Sequence, residues 1–206
     1  MRIVLSGIGH RFDDGPWLFR DLNVQLRSGH IYSLSGPSGA GKSTLLALLA
    51  QWLKPTEGTM IIPHPLTIGW VFQNPHGTPH RSARDHVALP YLAKGQSPQE
   101  ADRSADNMLD NFGLLSLAHR SFRELSGGEA QRLMLARGLA SGPDLFLIDE
   151  PTAQLDRETA AVVNASISAI AATETIVVVA THDPGTRDAC TDHLQLEGPS
   201  PVEVGA

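Results

Sequence analysis

The run Gly36-Pro37-Ser38-Gly39-Ala40-Gly41-Lys42-Ser43-Thr44 has the residue types and spacing of an anion cradle. It fits the pattern G-x-x-x-x-G-K-[ST] in full, and glycines let a backbone wrap closely enough for its N–H groups to point at a phosphate. Lys42 would bring a point charge to the β- and γ-phosphates, and Ser43 would offer its hydroxyl to Mg²⁺. Read blandly, this is a glycine-rich turn with an accidental lysine. The flanking elements decide against that. Alone, the loop indicates only a nucleoside-triphosphate binder: kinase, GTPase, helicase or transport ATPase.

Two further runs carry chemistry. Leu125-Ser126-Gly127-Gly128-Glu129 stands before a helical pattern, with Ser126 as N-cap and Glu129 three residues on, the arrangement of a capping box. It is at least a well-capped helix. Two glycines beside a serine at a helix N-terminus also make a second anion site. Asp149-Glu150 follows the apolar run Leu145-Phe146-Leu147-Ile148, so two adjacent carboxylates are delivered at a strand end, where open α/β sheets bind ligands. Without a phosphate cradle, such a pair would be an ordinary solvated acidic pair.

The elements that must hold these residues are legible in outline. Strands are expected at Ile3–Leu5, Leu22–Leu26 and Ile31–Leu34, followed by the glycine loop and a helix from Ser43 to about Trp52. Strand, glycine loop, helix is what a phosphate-binding unit needs. After Pro55 the chain reads as turn-rich up to a strand at Ile68–Phe72, stopped by Asn74-Pro75. Residues 75–123 differ in character, with an apolar stretch at Val87–Leu92 and an amphipathic helix. That helix starts with Ser97 as N-cap, Pro98 in the first turn and Glu100 after the cap. Its apolar positions are Ala101, Ala105, Met108, Leu109 and Phe112.

This segment reads as a small helical lobe inserted into a larger α/β domain. The core resumes with a helix from Gly128 to Leu139, a strand at Leu145–Ile148, a helix from Arg157 to Ala171 and a strand at Thr175–Ala180. The β-branched run Ile176–Val179 suits a strand buried on both faces of a parallel sheet. Residues 197–206 read as a loose tail.

Composition bounds the function. The 206 residues carry a net charge of −6, which argues against a nucleic-acid partner needing a basic face. No stretch of the length and apolarity of a membrane span is present. The N-terminus is too soon polar for a signal peptide. The single cysteine, Cys190, excludes an internal disulfide framework and fits a reducing compartment. His76, His80 and His86 invite a metal reading, but no cysteine or paired acidic set stands near them, so solvated or lobe-packing roles are favoured.

With these runs in order, the chain resembles the ATP-binding subunits of the ABC (ATP-binding cassette) transporter family over nearly its whole length. The stretch from Leu125 is similar to the family signature, with Glu129 in the fifth place. Asp144–Pro151 resembles Walker B and Gly36–Ser43 Walker A. The resemblance implies a P-loop core with a mainly parallel sheet, an N-terminal antiparallel β-subdomain and an inserted α-helical subdomain. It forms a single unit, with 1–74 and 124–196 as core and 75–123 as helical lobe.

It further implies ATP with Mg²⁺ held by Ser43, Asp149 (through water) and Gln73, and Glu150 as general base. Gln73, in Val71-Phe72-Gln73, resembles the Q-loop; His182, in Thr181-His182-Asp183, the switch histidine; Asp156, in Ala153-Gln154-Leu155-Asp156, the D-loop. Phe12 stands where relatives place a ring against adenine. Each has a plainer reading beside it. Gln73 and His182 are single polar residues at strand ends, Asp156 is a helix cap, and Phe12 is a packing residue. Where Gln154 stands, relatives commonly carry a small residue, and the segment between Gly58 and Val71 is shorter than in most of them.

The implied mechanism is a head-to-tail homodimer, or a heterodimer with a related ATPase. ATP lies between Gly36–Thr44 of one copy and Ser126, Gly127, Gly128 and Glu129 of the other, with both sites active. The implied partner is an integral-membrane permease gripped by the helical lobe and Q-loop, placing the subunit peripherally on the cytoplasmic face. The run Ala83–Tyr91 resembles the lipoprotein-releasing and macrolide-export type. Three readings compete with transport. A soluble ABC ATPase serving another complex would usually carry long insertions. A P-loop kinase is opposed by the signature and Glu150. A degenerate binding module is opposed by the intact Lys42, Asp149, Glu150 and His182.

Overall fold

The computed structural model describes residues 1–170 and 174–198. The first half contains β1 (Arg2–His10), β2 (Phe19–Arg27), β3 (Ile31–Ser35), α1 (Lys42–Leu49), β4 (Glu57–Ile61), β5 (Ile68–Val71), α2 (Ala83–Ala93) and α3 (Pro98–Asn111). The second half contains α4 (Gly127–Ala140), β6 (Leu145–Asp149), α5 (Arg157–Ala169), β7 (Ile176–Ala180), α6 (Pro184–Asp188) and β8 (Asp192–Gln195).

Two sheets result. Strands β2-β1-β4 form a three-stranded antiparallel sheet, and β5-β6-β7-β3-β8 a five-stranded sheet in which every pairing is parallel. The β7 run is buried at every position, as a strand covered on both faces must be. Helices enforce this by packing on either side. Leu45, Leu46, Leu48 and Leu49 of α1 join the cluster holding Ile176, Val178 and Ala180, whereas Leu133 and Leu135 of α4 join that holding Val177 and Val179. Alternate residues of one strand thus face two cores.

The lobe between β5 and α4 contains α2 and α3. The start signals of α3 act as expected: Ser97 and Glu100 form a reciprocal capping box with Pro98 in the first turn, and Ala101, Ala105 and Leu109 are buried. Arg84 on α2 clamps Asp106 on α3 with two bonds of 2.7 and 2.8 Å, the bidentate geometry that fixes relative orientation. The apolar stretch Val87–Leu92 belongs to α2, which continues through Pro90 although proline removes one ladder bond.

Several elements differ from the sequence reading. The first helix ends at Leu49, because Gln51 takes a left-handed conformation (φ 60°) and turns Trp52 out to stack on Trp70 at 4.5 Å between ring centroids. Strand β4 occupies part of the stretch read as turns, and β8 closes the far edge of the large sheet. The fifth helix ends at Ala169 with Ile170 as its cap, and the expected end at Ala171 lies outside the described residues, as do residues 199–206 of the expected tail. No helix among the described residues is long and apolar enough to cross a membrane.

Candidate active site

Four neighbouring strands bring four of the expected motifs to one edge of the sheet. The C-terminal end of β3 runs into the glycine loop, that of β6 into Asp149-Glu150, that of β7 into Thr181-His182, and that of β5 into Phe72-Gln73. Register fixes the middle three: Asp149 lies opposite Ala180, Glu150 N–H donates to Ala180 O at 2.9 Å, and Thr181 N–H donates to Leu34 O at 3.0 Å.

The glycine loop is shaped by close approach. Gly36 has φ 153°, and a Cβ there would lie 2.7 Å from Leu196 O. Gly41, at φ 88°, would place a Cβ 2.9 Å from the Phe19 ring. Side chains at these positions would push the loop off the sheet that supports it. Pro37, Ser38 and Gly39 are exposed and Ala40 is buried beneath them. Lys42 Nζ folds back onto Gly36 O at 3.1 Å and Pro37 O at 3.5 Å, with Glu150 Oε1 at 3.9 Å. Thr44 follows in the first turn of α1.

Ser43 Oγ donates to Asp149 Oδ2 at 2.8 Å. Burial holds the Asp149 carboxyl above its usual range, the Ser43 hydroxyl and Lys42 opposing the rise and the Glu150 charge adding to it. A hydroxyl and one carboxylate at bonding distance suit Mg²⁺, which binds through one or two carboxylates together with substrate phosphates. Among the described residues no group of three or more His, Cys, Asp or Glu is placed to hold a metal ion. His86 instead is buried, its Nε2 accepting from Thr78 N–H at 2.9 Å and its Nδ1 2.7 Å from Ser82 O.

Glu150 is held left-handed, with φ 46°, an uncommon conformation for a residue with a side chain and one that clusters at functional sites. Its Oε2 lies 2.8 Å from His182 Nδ1 and 3.3 Å from His182 N. Lys42, Ser43, Asp149, Glu150 and His182 are therefore one contiguous polar group. Gln73 is exposed and makes no hydrogen bond to it. It lines a cavity of about 90 Å³ with Gly127, Gln131, Ala153, Gln154 and Leu155. In sequence nothing marks Gln131, since an amide inside a capped helix reads as solvated.

The start of α4 is built as expected. Ser126 Oγ accepts from Glu129 N–H at 3.3 Å, and Glu129 Oε2 accepts from Ser126 N–H at 2.7 Å, which holds the Glu129 carboxyl below its usual range. Ser126 and Gly127 are exposed, whereas Gly128 is buried against α5. Asp156 is the N-cap of α5, accepting from Glu158 N–H and Thr159 N–H at 3.0 Å each. Phe12, 55% exposed, lies in the loop between β1 and β2 with its ring perpendicular to that of His10 at 5.0 Å. Beside it, the Arg11 and Arg20 guanidiniums lie 5.0 and 4.4 Å from the Trp17 ring centre.

A cleft of about 530 Å³ separates the large sheet from the helical lobe, lined by Trp70, Phe72, Leu89, Pro90, Arg137 and Ser141 among others. Phe72 and Leu89 are more than two-fifths exposed there.

The comparisons with known proteins agree with this geometry. The family profile described as ABC transporter matches residues 19–153. The lipoprotein-releasing system ATP-binding protein LolD of Rickettsia felis is 33% identical over 195 residues, covering 88% of each chain. LolD of Chromohalobacter salexigens is 36% identical over 199 residues, covering 87% of this chain and 84% of its own. The ATP-binding cassette MJ0796, in a dimeric post-hydrolysis state bound to ADP and Pi, superposes with a TM-score of 0.78 at 28% identity, covering 95% of this chain and 94% of that one. The chain belongs to the ABC transporter family. Within it, the chain is an ATP-binding cassette, an ATP hydrolase by class.

Proposed function

We propose that this chain is the ATP-hydrolysing subunit of a membrane transporter, working as a pair with its copies head to tail. One observation carries the reading: Lys42, Ser43, Asp149, Glu150 and His182 meet in one polar group, while the capped start of α4 leaves Ser126 and Gly127 exposed. Lys42 would leave the Gly36 and Pro37 carbonyls for the β- and γ-phosphates. Phe12 would stack on the adenine, and the loop Gly36–Thr44 would enclose the phosphates. Glu150 would polarise the attacking water, with His182 orienting its carboxylate.

Ser43 and Asp149 would hold Mg²⁺, with Gln73 drawn to it on closure; when bound, the ion neutralises charge on the β- and γ-phosphate oxygens. Ser126, Gly127, Gly128 and Glu129 of the second copy would close the site, and Asp156 would lie along that interface. ATP then favours closure because each site is incomplete in one chain, and loss of the γ-phosphate contacts releases it.

A membrane partner is supported by the cleft beside Phe72 and Leu89, which is large, apolar-rimmed and continuous with the Gln73 loop. It is supported also by relatives named as ATP-binding proteins of lipoprotein-releasing systems. The subunit would sit peripherally on the cytoplasmic face, gripping a cytoplasmic segment of the permease. The test is Glu150→Gln. The variant should bind MgATP, run as a dimer on size exclusion only with ATP, and release no phosphate. A variant that stayed monomeric in saturating ATP would overturn the paired site. Detergent extracts of native membranes should yield the wild-type chain together with an integral membrane protein.

A further inference from the structure

Gln131 stands one helical turn after Gly127 on α4, is 2% exposed, and its Nε2 has no hydrogen-bond partner among the described residues. A buried amide donor without a partner is costly, on the order of 1–3 kcal/mol, so such groups in folded chains have a water or a function to meet. The space to meet one is present. The cavity of about 90 Å³ against Gln131 is lined by Gln73, Gly127, Ala153, Gln154 and Leu155, polar enough and roomy enough for ordered water.

Three segments converge there: the loop leaving β5, the first turn of α4, and the turn that follows Glu150. That last turn is tied directly to Glu150, because Ala153 N–H donates to Glu150 O at 3.3 Å, and Leu155 N–H closes onto Thr152 O at 3.1 Å. Glu150 itself is held in a left-handed conformation that only its surroundings sustain. A displacement of the 151–155 turn relative to α4 would therefore be passed to the Glu150 backbone, which carries the carboxylate.

We propose that Gln131 is a positioning residue for ATP hydrolysis. Its amide, through water held in this cavity, links the Gln73 loop and the 151–155 turn to the start of α4. Glu150 is thereby set in place when that helix start engages the nucleotide of a second copy. This rests on the paired ATPase reading above, and adds to it a buried link between the helix start and the general base.

The test is Gln131→Met, which keeps length and volume and deletes the hydrogen-bonding group. The melting temperature of the nucleotide-free protein should hold or rise, because an unpaired buried donor has been removed. The kcat for ATP should fall about five- to tenfold, the range one hydrogen bond carries, with KM for ATP within about twofold. Gln131→Asn, which keeps the amide within reach of a bridging water, should recover at least half of the lost kcat. Gln131→Met with wild-type kcat would overturn the proposal. So would a loss of kcat that follows a lowered melting temperature, since that is packing alone. A wild-type chain without ATPase activity, or Glu150→Gln without an ATP-dependent dimer, would instead overturn the underlying paired-site reading.

Discussion

The imidazole of His182 lies with Nδ1 2.8 Å from Glu150 Oε2, while the other Glu150 oxygen faces Lys42 at 3.9 Å. A carboxylate only accepts, so Nδ1 carries the proton and Nε2 remains available to solvent and substrate. The two contacts hold the Glu150 carboxylate between an imidazole N–H donor and the Lys42 ammonium. Both carboxylate oxygens are thus engaged, and in the mechanism proposed above it is Lys42 that would leave for the phosphates.

His182→Ala tests this arrangement. The His182 side chain is 66% exposed, so its removal should cost little stability. The kcat for ATP should fall about 100-fold, the lower end of what a positioned acid–base group contributes, with KM within about twofold. Steady-state phosphate release across ATP concentrations separates the two. A raised KM with unchanged kcat would show that His182 binds nucleotide and does not orient Glu150.

The close contact between α4 and α5 gives a second prediction. A Cβ at Gly128 would lie 2.0 Å from Thr159 Cγ2, so glycine is required there by packing and not by backbone conformation. Gly128→Ala should destabilise the protein by about 1–3 kcal/mol, the usual cost of overpacking. Thr159→Ser deletes that methyl and keeps the hydroxyl that donates to Asp156 Oδ2 at 2.7 Å. The double variant should regain most of the loss in urea melts. An unchanged cost in the Thr159→Ser background would show that the helix start, and not this contact, suffers.

The motifs were legible because each is a local code: consecutive residues bend one loop, cap one helix or end one strand. The same locality predicted the capping boxes at Ser97 and Ser126 and the buried run of β7. What was not legible depends on partners distant in sequence. Strand β4 alternates weakly, with Met60 half-buried and Thr59 exposed, and is held by its pairing with β1. Strand β8 is a short edge strand whose place is set by β3. Trp52 extends the leucine pattern of α1, yet its ring is claimed by Trp70, eighteen residues further on. Gln131 and Gln154 come together only because two loops and the first turn of α4 fold around one small cavity.

Acid sensitivity is the last prediction, and it turns on His86 in the helical lobe. Burial is the main cause lowering its pKa from the usual 6.5, with the Ser82 carbonyl opposing and the charges of Arg137 and Arg81 adding to the fall. Because Nδ1 faces a carbonyl and so donates, Nε2 must stay unprotonated to accept from Thr78 N–H. A folded-state pKa below the unfolded one means that the unfolded chain binds the proton more readily. The stability His86 contributes is therefore complete above pH 6.5 and is lost as pH falls through the lowered folded value. The capping carboxylates Glu100 and Glu129 are held below their usual 4.5 by Ser97 and Ser126, so their share disappears only at lower pH. Melting temperatures between about pH 7.5 and 5 separate the two, since among side chains at their ordinary values only histidine changes charge through most of that range. The wild-type midpoint should decline steadily on acidification. His86→Leu should start lower at neutral pH, having lost the Thr78 and Ser82 bonds, and then vary less with pH. Parallel declines in the two proteins would assign the acid sensitivity to another group.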